Sequence, residues 1–241
     1  MKKVVPYDEN SGKKLQVEQM FDNIAGKYDL LNDLLSFGIE NRWKKKLVRY
    51  VSRFNPQNIL DVATGTGDLI LYLNKLHPRR IVGIDISEQM LAIARNKIKR
   101  KLGTDSHVEF YQQDGENLEC RDEAFDLVTC AFGVRNFENL EKGLIQMHRV
   151  LKKGGILAIL EFSQSQAPVF SRIFNFYFEK FLPYLGGVIA KDYKAYKYLP
   201  ESVKEFPSGQ DFVNIVNAQG FETIKVLPLT FGIATIYVFR K

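Results

Sequence analysis

The chain has 241 residues, a formal net charge of +6, 45% hydrophobic residues and 26% charged ones. That suits one globular α/β domain with extra elements and a core of its own. No apolar run reaches the roughly 18 residues of a membrane-spanning helix, and Met1-Lys2-Lys3-Val4-Val5-Pro6 lacks the apolar centre of a signal peptide, so neither an integral membrane protein nor a secreted one is expected.

In chain order, residues 1–14 are polar and expected to be disordered. Leu15 to Ala25 predicts a helix with Val17, Met20, Phe21 and Ile24 on one face. Two further helices, Tyr28 to Leu35 and Glu40 to Phe54, are separated at Phe37-Gly38. Alternation follows: strand 57–62, helix 67–76, strand 80–85, helix 87–101, strands 107–112 and 124–131, helix 138–151, strand 155–162. Strands alternating with helices of that length imply a parallel sheet covered on both faces. An aromatic helix is expected over 167–189, where Val169, Phe170, Ile173, Phe174, Tyr177, Phe178, Phe181 and Leu182 recur at helical spacing. Pro207 to Ala218 predicts another helix. Glu222 to Leu227 and Ile233 to Phe239, separated by Pro228 and Gly232, predict a terminal antiparallel pair. There is no internal repeat and no low-complexity linker, so 15–241 reads as a single domain.

The charge falls in two clusters on predicted helices, one from Arg42 through Lys44, Lys45, Lys46 and Arg49 to Arg53, the other over Arg95, Lys97, Lys99, Arg100 and Lys101. Both read as solvated faces, with contact to anionic lipid as the sharper alternative. No RNA-binding motif or aromatic stacking platform accompanies them, so nucleic acid is not expected as a partner. Cys120 and Cys130 form neither a C-x-x-C nor a metal pattern and read as free thiols in a reducing cytoplasm. His77, His107 and His148 show no ligand spacing, so no metal is expected.

The most informative stretch is Ile59-Leu60-Asp61-Val62-Ala63-Thr64-Gly65-Thr66-Gly67-Asp68-Leu69, an apolar strand running into a glycine turn and then a helix. Gly65 and Gly67 permit positive φ and close approach of a ligand to the backbone. About twenty residues on, Ile81-Val82-Gly83-Ile84-Asp85 ends a second buried strand in a carboxylate, the arrangement by which a Rossmann-like sheet holds an adenosine ribose. The dinucleotide fingerprint fails, because Ile70 stands where its third small residue belongs. Asp61 and Asp68 place negative charge around the turn, which suits a cationic ligand better than a pyrophosphate. This acid-x-small-x-Gly-x-Gly pattern resembles the class I S-adenosylmethionine methyltransferases. The resemblance implies a Rossmann-like, mainly parallel seven-stranded sheet with a C-terminal antiparallel strand. It implies S-adenosylmethionine as co-substrate, bound by Asp61, Thr64, Gly65, Thr66, Gly67, Asp85, Ile86, Asp114, Gly115 and Ala131. Asp85 would take the ribose hydroxyls, and Asp114 the adenine amine unless it merely caps its own turn.

Three further motifs narrow the class. Upstream stands Phe21-Asp22-x-Ile24-Ala25-x-x-Tyr28-Asp29-x-x-Asn32-Asp33-x-x-Ser36-Phe37-Gly38, ending at Trp43. The middle motif is Cys130-Ala131-Phe132-Gly133-Val134-Arg135-Asn136-Phe137. Downstream, Arg149-Val150-Leu151-Lys152-Lys153-Gly154-Gly155 leads to Leu160-Glu161-Phe162-Ser163. Together they resemble the UbiE/MenG family of ubiquinone and menaquinone biosynthesis C-methyltransferases, from about residue 15 to the C-terminus. Glu40 stands where the family usually has His, Leu31 where Met is frequent, Lys153 where Pro is common, and Ala131 where some members carry Ser.

The resemblance implies methyl transfer to a ring carbon of a polyprenylated quinol. Demethylmenaquinol is the favoured acceptor, and 2-polyprenyl-6-methoxy-1,4-benzoquinol the alternative. A non-catalytic S-adenosylmethionine-binding subunit of a quinone-synthesis assembly is a second class. Arg135 would stabilise the developing phenolate, Asn136 would bond an oxygen, and Tyr28 would close over the ring or relay a proton. An ion pair of Arg135 with Glu138 or Asp29, and simple helix packing for Tyr28, are the structural alternatives. Peripheral contact with the inner face of a membrane and a homodimer are left open.

Overall fold

The structure is a computed structural model that describes residues 4–8, 11–36, 38–104, 107–163 and 193–241. Its elements are α1 (Lys13–Ser36), α2 (Ile39–Val51), β1 (Asn58–Val62), α3 (Asp68–Leu73), β2 (Arg80–Asp85), α4 (Glu88–Leu102), β3 (Val108–Gln112), β4 (Phe125–Ala131), α5 (Leu140–Val150), β5 (Leu151–Phe162), α6 (Tyr193–Glu205), α7 (Gln210–Ala218), β6 (Glu222–Leu229) and β7 (Ala234–Arg240).

The strands form one sheet in the order β3-β2-β1-β4-β5-β7-β6. The pairs β3-β2, β2-β1, β1-β4 and β4-β5 are parallel, while β7 runs antiparallel to both β5 and β6. This is the seven-stranded, mainly parallel Rossmann-like sheet that the sequence implied. The central strands read as near-continuous apolar runs because helices cover both faces. Successive side chains point to opposite faces. Ile59 therefore joins one core with Leu47 of α2, Ile70 of α3 and Ile98 of α4. Leu60 joins the other with Leu144 of α5 and Phe212 of α7.

Several boundaries differ from expectation. The helices expected at 15–25 and 28–35 are one continuous α1. Gly26 costs a helix roughly 1 kcal/mol relative to Ala, and burial of Val17, Met20, Ile24 and Ala25 outweighs it. α1 also begins at Lys13, inside the segment expected to be disordered. Just before it, Gln16 Oε1 accepts the amides of Tyr7 and Asp8, each at 2.8 Å, and Pro6 is buried. β5 starts at Leu151 rather than Gly155, pairing with Phe125 ahead of a bulge. α6 was not foreseen. The aromatic helix expected at 167–189 lies outside the described residues.

Two members of the basic clusters turn inward rather than onto solvated faces. Lys44 pairs with Asp68 at 3.4 Å, and Lys97 pairs with Asp29 and Asp68, each at 2.6 Å.

Candidate active site

The chain enters the sheet at β1 and works outward to β3, then returns to lay β4 on the other side of β1. Ligands in open α/β sheets sit at that reversal, beyond the carboxyl ends of the strands. β1 and β2 pair in register as far as Val62 opposite Ile84, so Asp85 falls level with the glycine turn. Its Oδ2 accepts the Gly65 amide at 2.7 Å and its Oδ1 the Ser87 amide at 2.9 Å. Each oxygen keeps a lone pair for a further donor. Burial pushes the Asp85 carboxyl up to about 6, against the pull of the Ser87 and Gly65 amides.

A cavity of about 700 Å³ opens over this floor. Gly65, Asp85, Ile86, Asp114, Gly115 and Ala131 line it from the sheet side, Lys14, Phe21 and Tyr28 from α1, and Asn136 from the loop after β4. Gly65 holds φ 57, and a Cβ there would meet nothing within 4 Å, so the turn presents bare backbone to open space. A diol fits the free lone pairs of Asp85, and Ile86 and Phe137 are apolar surfaces in the same cavity for a flat base. The residues present thus suit an adenosyl group.

The other sequence candidates stand behind the turn rather than on the cavity wall. Asp61 is 1% exposed and accepts the hydroxyls of Thr64 and Thr129, each at 2.6 Å. Burial pushes its carboxyl up to about 6 despite those two donors. Thr66 donates to Asp29 of α1 at 2.6 Å and accepts from Lys97 at 3.0 Å. Gly67 is a packing position, where a Cβ would lie 3.2 Å from that of Ala94. Asp68, read from sequence as part of the charge around the ligand, is spent on Lys44 and Lys97. Asp114 does line the cavity, yet it also caps its own turn. Its Oδ1 accepts the Glu116 amide at 2.9 Å and its Oδ2 meets Lys14 at 2.8 Å.

A second cavity of about 560 Å³ adjoins the first. Phe21, Tyr28, Phe132 and Asn136 line both. The second also has Met20, Ile24, Phe162 and Leu199 as apolar walls, with Arg135, Glu40, Asn32 and Tyr198 as polar points. Phe132, whose ring lies 4.6 Å from that of Phe162, holds φ 59. Such a conformation is costly outside glycine and is kept where the surroundings over-determine it. Its amide donates to Leu160 O at 2.7 Å, and its carbonyl accepts from both Arg135 and Asn136.

Arg135 is not paired with Glu138 or Asp29. Its partner is Glu161 at the end of β5, with Nη1 to Oε1 at 2.9 Å and the Arg135 amide to Oε2 at 3.4 Å. Glu161 is fully buried, which pushes its carboxyl up against the pull of the guanidinium. Sequence reasoning missed Glu161 as a site residue, although an acid within the apolar run Leu157 to Phe162 is itself a signal. It also missed Tyr198, whose hydroxyl donates to Asn136 Oδ1 at 3.1 Å. Tyr28 is half-buried, edge-on to Phe21 at 6.1 Å, and burial followed by the nearby Glu40 charge raises its phenol pKa. Among the described residues no group of His, Cys, Asp and Glu could hold a metal ion.

Residues 9–241 match the ubiE/COQ5 methyltransferase family. The chain is 44% identical over 240 residues to the demethylmenaquinone methyltransferase of Bacteroides fragilis, covering 99% of this chain and 98% of that one. It is 42% identical over 232 residues to the ubiquinone/menaquinone biosynthesis C-methyltransferase UbiE of Geotalea uraniireducens, covering 95% and 97%. A solved S-adenosylmethionine-dependent methyltransferase of Thermotoga maritima superposes with a TM-score of 0.63 at 18% identity, over 93% of this chain and 99% of that one, a likeness of fold. With near-complete coverage at that identity, and a carboxylate-edged glycine turn opening on the first of two adjoining cavities, the chain belongs to the ubiE/COQ5 family of S-adenosylmethionine-dependent methyltransferases.

Proposed function

We propose that the chain methylates a ring carbon of a polyprenylated quinol, demethylmenaquinol being the acceptor that its relatives' names carry. One observation supports this above the rest. The aromatic-walled second cavity shares Phe21, Tyr28, Phe132 and Asn136 with the first, so an acceptor ring and a methyl donor would meet across four side chains. S-adenosylmethionine, when bound, supplies an electrophilic methyl group on a sulfonium sulfur.

The chain's own residues do the rest. Asp85 accepts the ribose hydroxyls, while Ile86, Asp114 and Gly115 surround the base, and Ala131 borders the sulfur end. Asp61, Thr64, Thr66 and Gly67 brace the turn from behind. Tyr28, Phe132 and Phe162 hold the acceptor ring in line and exclude water from it. Arg135, aimed by Glu161, faces the oxygen on which negative charge grows, and Asn136 bonds it. A polyprenyl acceptor lives in a bilayer, so the reading includes peripheral contact with its surface. Arg42, Lys45, Lys46 and Arg49 on α2 are exposed and suited to anionic headgroups. No helix among the described residues is long and apolar enough to cross a membrane.

The test is incubation with S-adenosylmethionine and, separately, demethylated naphthoquinol and benzoquinol acceptors, followed by mass spectrometry of the quinone. Methylated naphthoquinone is the expected product. Intact cofactor binding with neither acceptor methylated would overturn the reading.

Affinity for S-adenosylhomocysteine is expected to fall as pH drops through about 6. Ionised Asp85 accepts from two hydroxyls, and its protonated form gives up part of that capacity. The complex therefore favours the charged form, and affinity is lost by up to about tenfold per pH unit on the acid side. Asp85→Asn should bind weakly with a flat profile in calorimetry. The free fold shows the opposite sign. An Asp ionising near 3.8 when unfolded and about 6 when folded holds more protons in the folded state, so its contribution to stability falls as pH rises between those values.

A further inference from the structure

Methylation at a ring carbon of a quinol draws a hydroxyl proton away before the ring proton leaves, and the side chains of the second cavity can be sorted by whether they could take the first. Tyr28, Asn32, Glu40, Arg135, Asn136 and Tyr198 are its polar lining. The two amides are not bases. Arg135 presents a guanidinium, which donates hydrogen bonds and has no acceptor atom. Burial raises both phenols, so Tyr28 and Tyr198 stay neutral, and the Tyr198 hydroxyl is engaged with Asn136. Glu40 is the carboxylate among the described lining residues.

A helix N-terminus and a cation border it. Glu40 lies in the first turn of α2, where the helix dipole stabilises negative charge. One turn on, Lys44 Nζ stands 3.9 Å from its Oε2, with side chains 11% and 14% exposed for Lys44 and Glu40. Lys44 is itself held by Asp68 of α3. The charge of Glu40 reaches the Tyr28 phenol, and Arg135 acts on that phenol from the loop after β4.

We propose that Glu40 is the catalytic base, its carboxylate taking the hydroxyl proton of the acceptor as the new carbon–carbon bond forms. The inference rests on reading the second cavity as the quinol site. The oxygen's electron pair moves into the carbon–oxygen bond and a ring electron pair forms the bond to the methyl carbon. The carbon–sulfur bond breaks with its pair left on sulfur, and the hydroxyl proton passes to Glu40. The resulting dienone loses its ring proton to solvent, and Glu40 returns the first proton to the oxygen. One proton is released per turnover and Glu40 is regenerated. A carboxylate is basic enough because positive charge drawn onto the ring makes the hydroxyl far more acidic as the methyl arrives.

The experiment compares the full chain with Glu40→Gln and Glu40→His, using S-adenosylmethionine and a short-chain demethylated naphthoquinol. Glu40→Gln is expected to lose about a hundredfold or more in kcat. Its S-adenosylhomocysteine affinity, quinol KM and melting temperature should stay close to those of the parent. Its residual rate should climb with pH as hydroxide substitutes for the carboxylate. Glu40→His should recover much of kcat, with an acid limb in the imidazole range near 6.5. A Glu40→Gln variant with the parent's kcat and pH profile would overturn the proposal. So would a loss matched by the cofactor affinity or the melting temperature, since Glu40 would then be a structural partner of Lys44. A parent chain that methylates no quinol would sink the substrate reading itself, and is told apart because it needs no variant.

Discussion

Arg135→Lys is expected to lower kcat by roughly a hundredfold or more while leaving S-adenosylhomocysteine affinity almost unchanged. The guanidinium is locked before any substrate arrives. Nη1 is divided between Glu161 and the Phe132 carbonyl, and the group lies 5.4 Å from the centre of the Phe162 ring. Among the described residues its buried Nε has no hydrogen-bond partner. A lysine ammonium can satisfy Glu161, but it lacks the planar fork that answers Glu161 on one edge and a substrate oxygen on another. The cofactor side is spared because Arg135 lines the second cavity and not the first. Steady-state kinetics and calorimetry separate the outcomes. Unchanged kcat with a raised quinol KM would mean uniform binding rather than transition-state stabilisation. A variant that fails to fold would make the Glu161 pair purely structural.

Asp85→Ala should weaken S-adenosylmethionine binding by about 2–3 kcal/mol, or roughly thirty- to a hundred-and-fiftyfold in Kd. The loss has two parts. Two ligand hydroxyls forfeit a charged acceptor, and the amides of Gly65 and Ser87 forfeit theirs. The second part also loosens the turn on which the ligand rests. A melting curve run beside the calorimetry distinguishes the two, since a loosened turn lowers the melting temperature of the free protein as well. Affinity unchanged within error would remove Asp85 from the site.

The core of the sheet was legible because its signals are local. β1 and β2 are apolar runs punctuated by glycine and closed by an acid, and the predicted span of β2 matches the structure at both ends. α6 was missed because Tyr and Lys alternate through it and Pro200, inside the helix, reads as a breaker. The floor of the first cavity could be named from sequence because Gly65, Asp85 and Asp114 each terminate or follow a recognisable strand. The pairing of Arg135 could not. Glu161 is 26 residues away, and the strand order laying β5 beside β4 is what brings the two together. Local pattern also could not separate residues facing the ligand from those bracing the turn. Thr64 and Gly65 are neighbours in sequence, but one hydroxyl points back to Asp61 while the other backbone opens to the cavity.

The long first helix fastens itself across the cofactor cavity by polar contacts: Lys14 to Asp114, Asp22 to the Ser87 hydroxyl, and Asp29 to Thr66 and Lys97. Partly exposed pairs of this kind are each worth about 1 kcal/mol or less. Its inner face also supplies Phe21 and Tyr28 to the wall. A ligand beneath it that touches Phe21 and Tyr28 would add to those contacts, and by reciprocity the helix would retain the ligand by the factor with which the ligand holds the helix. Retention acts on the demethylated product as firmly as on the donor. A product that left on this side would undo part of that clasp, and the rate at which the helix lifted would then cap turnover from far off the reacting carbon.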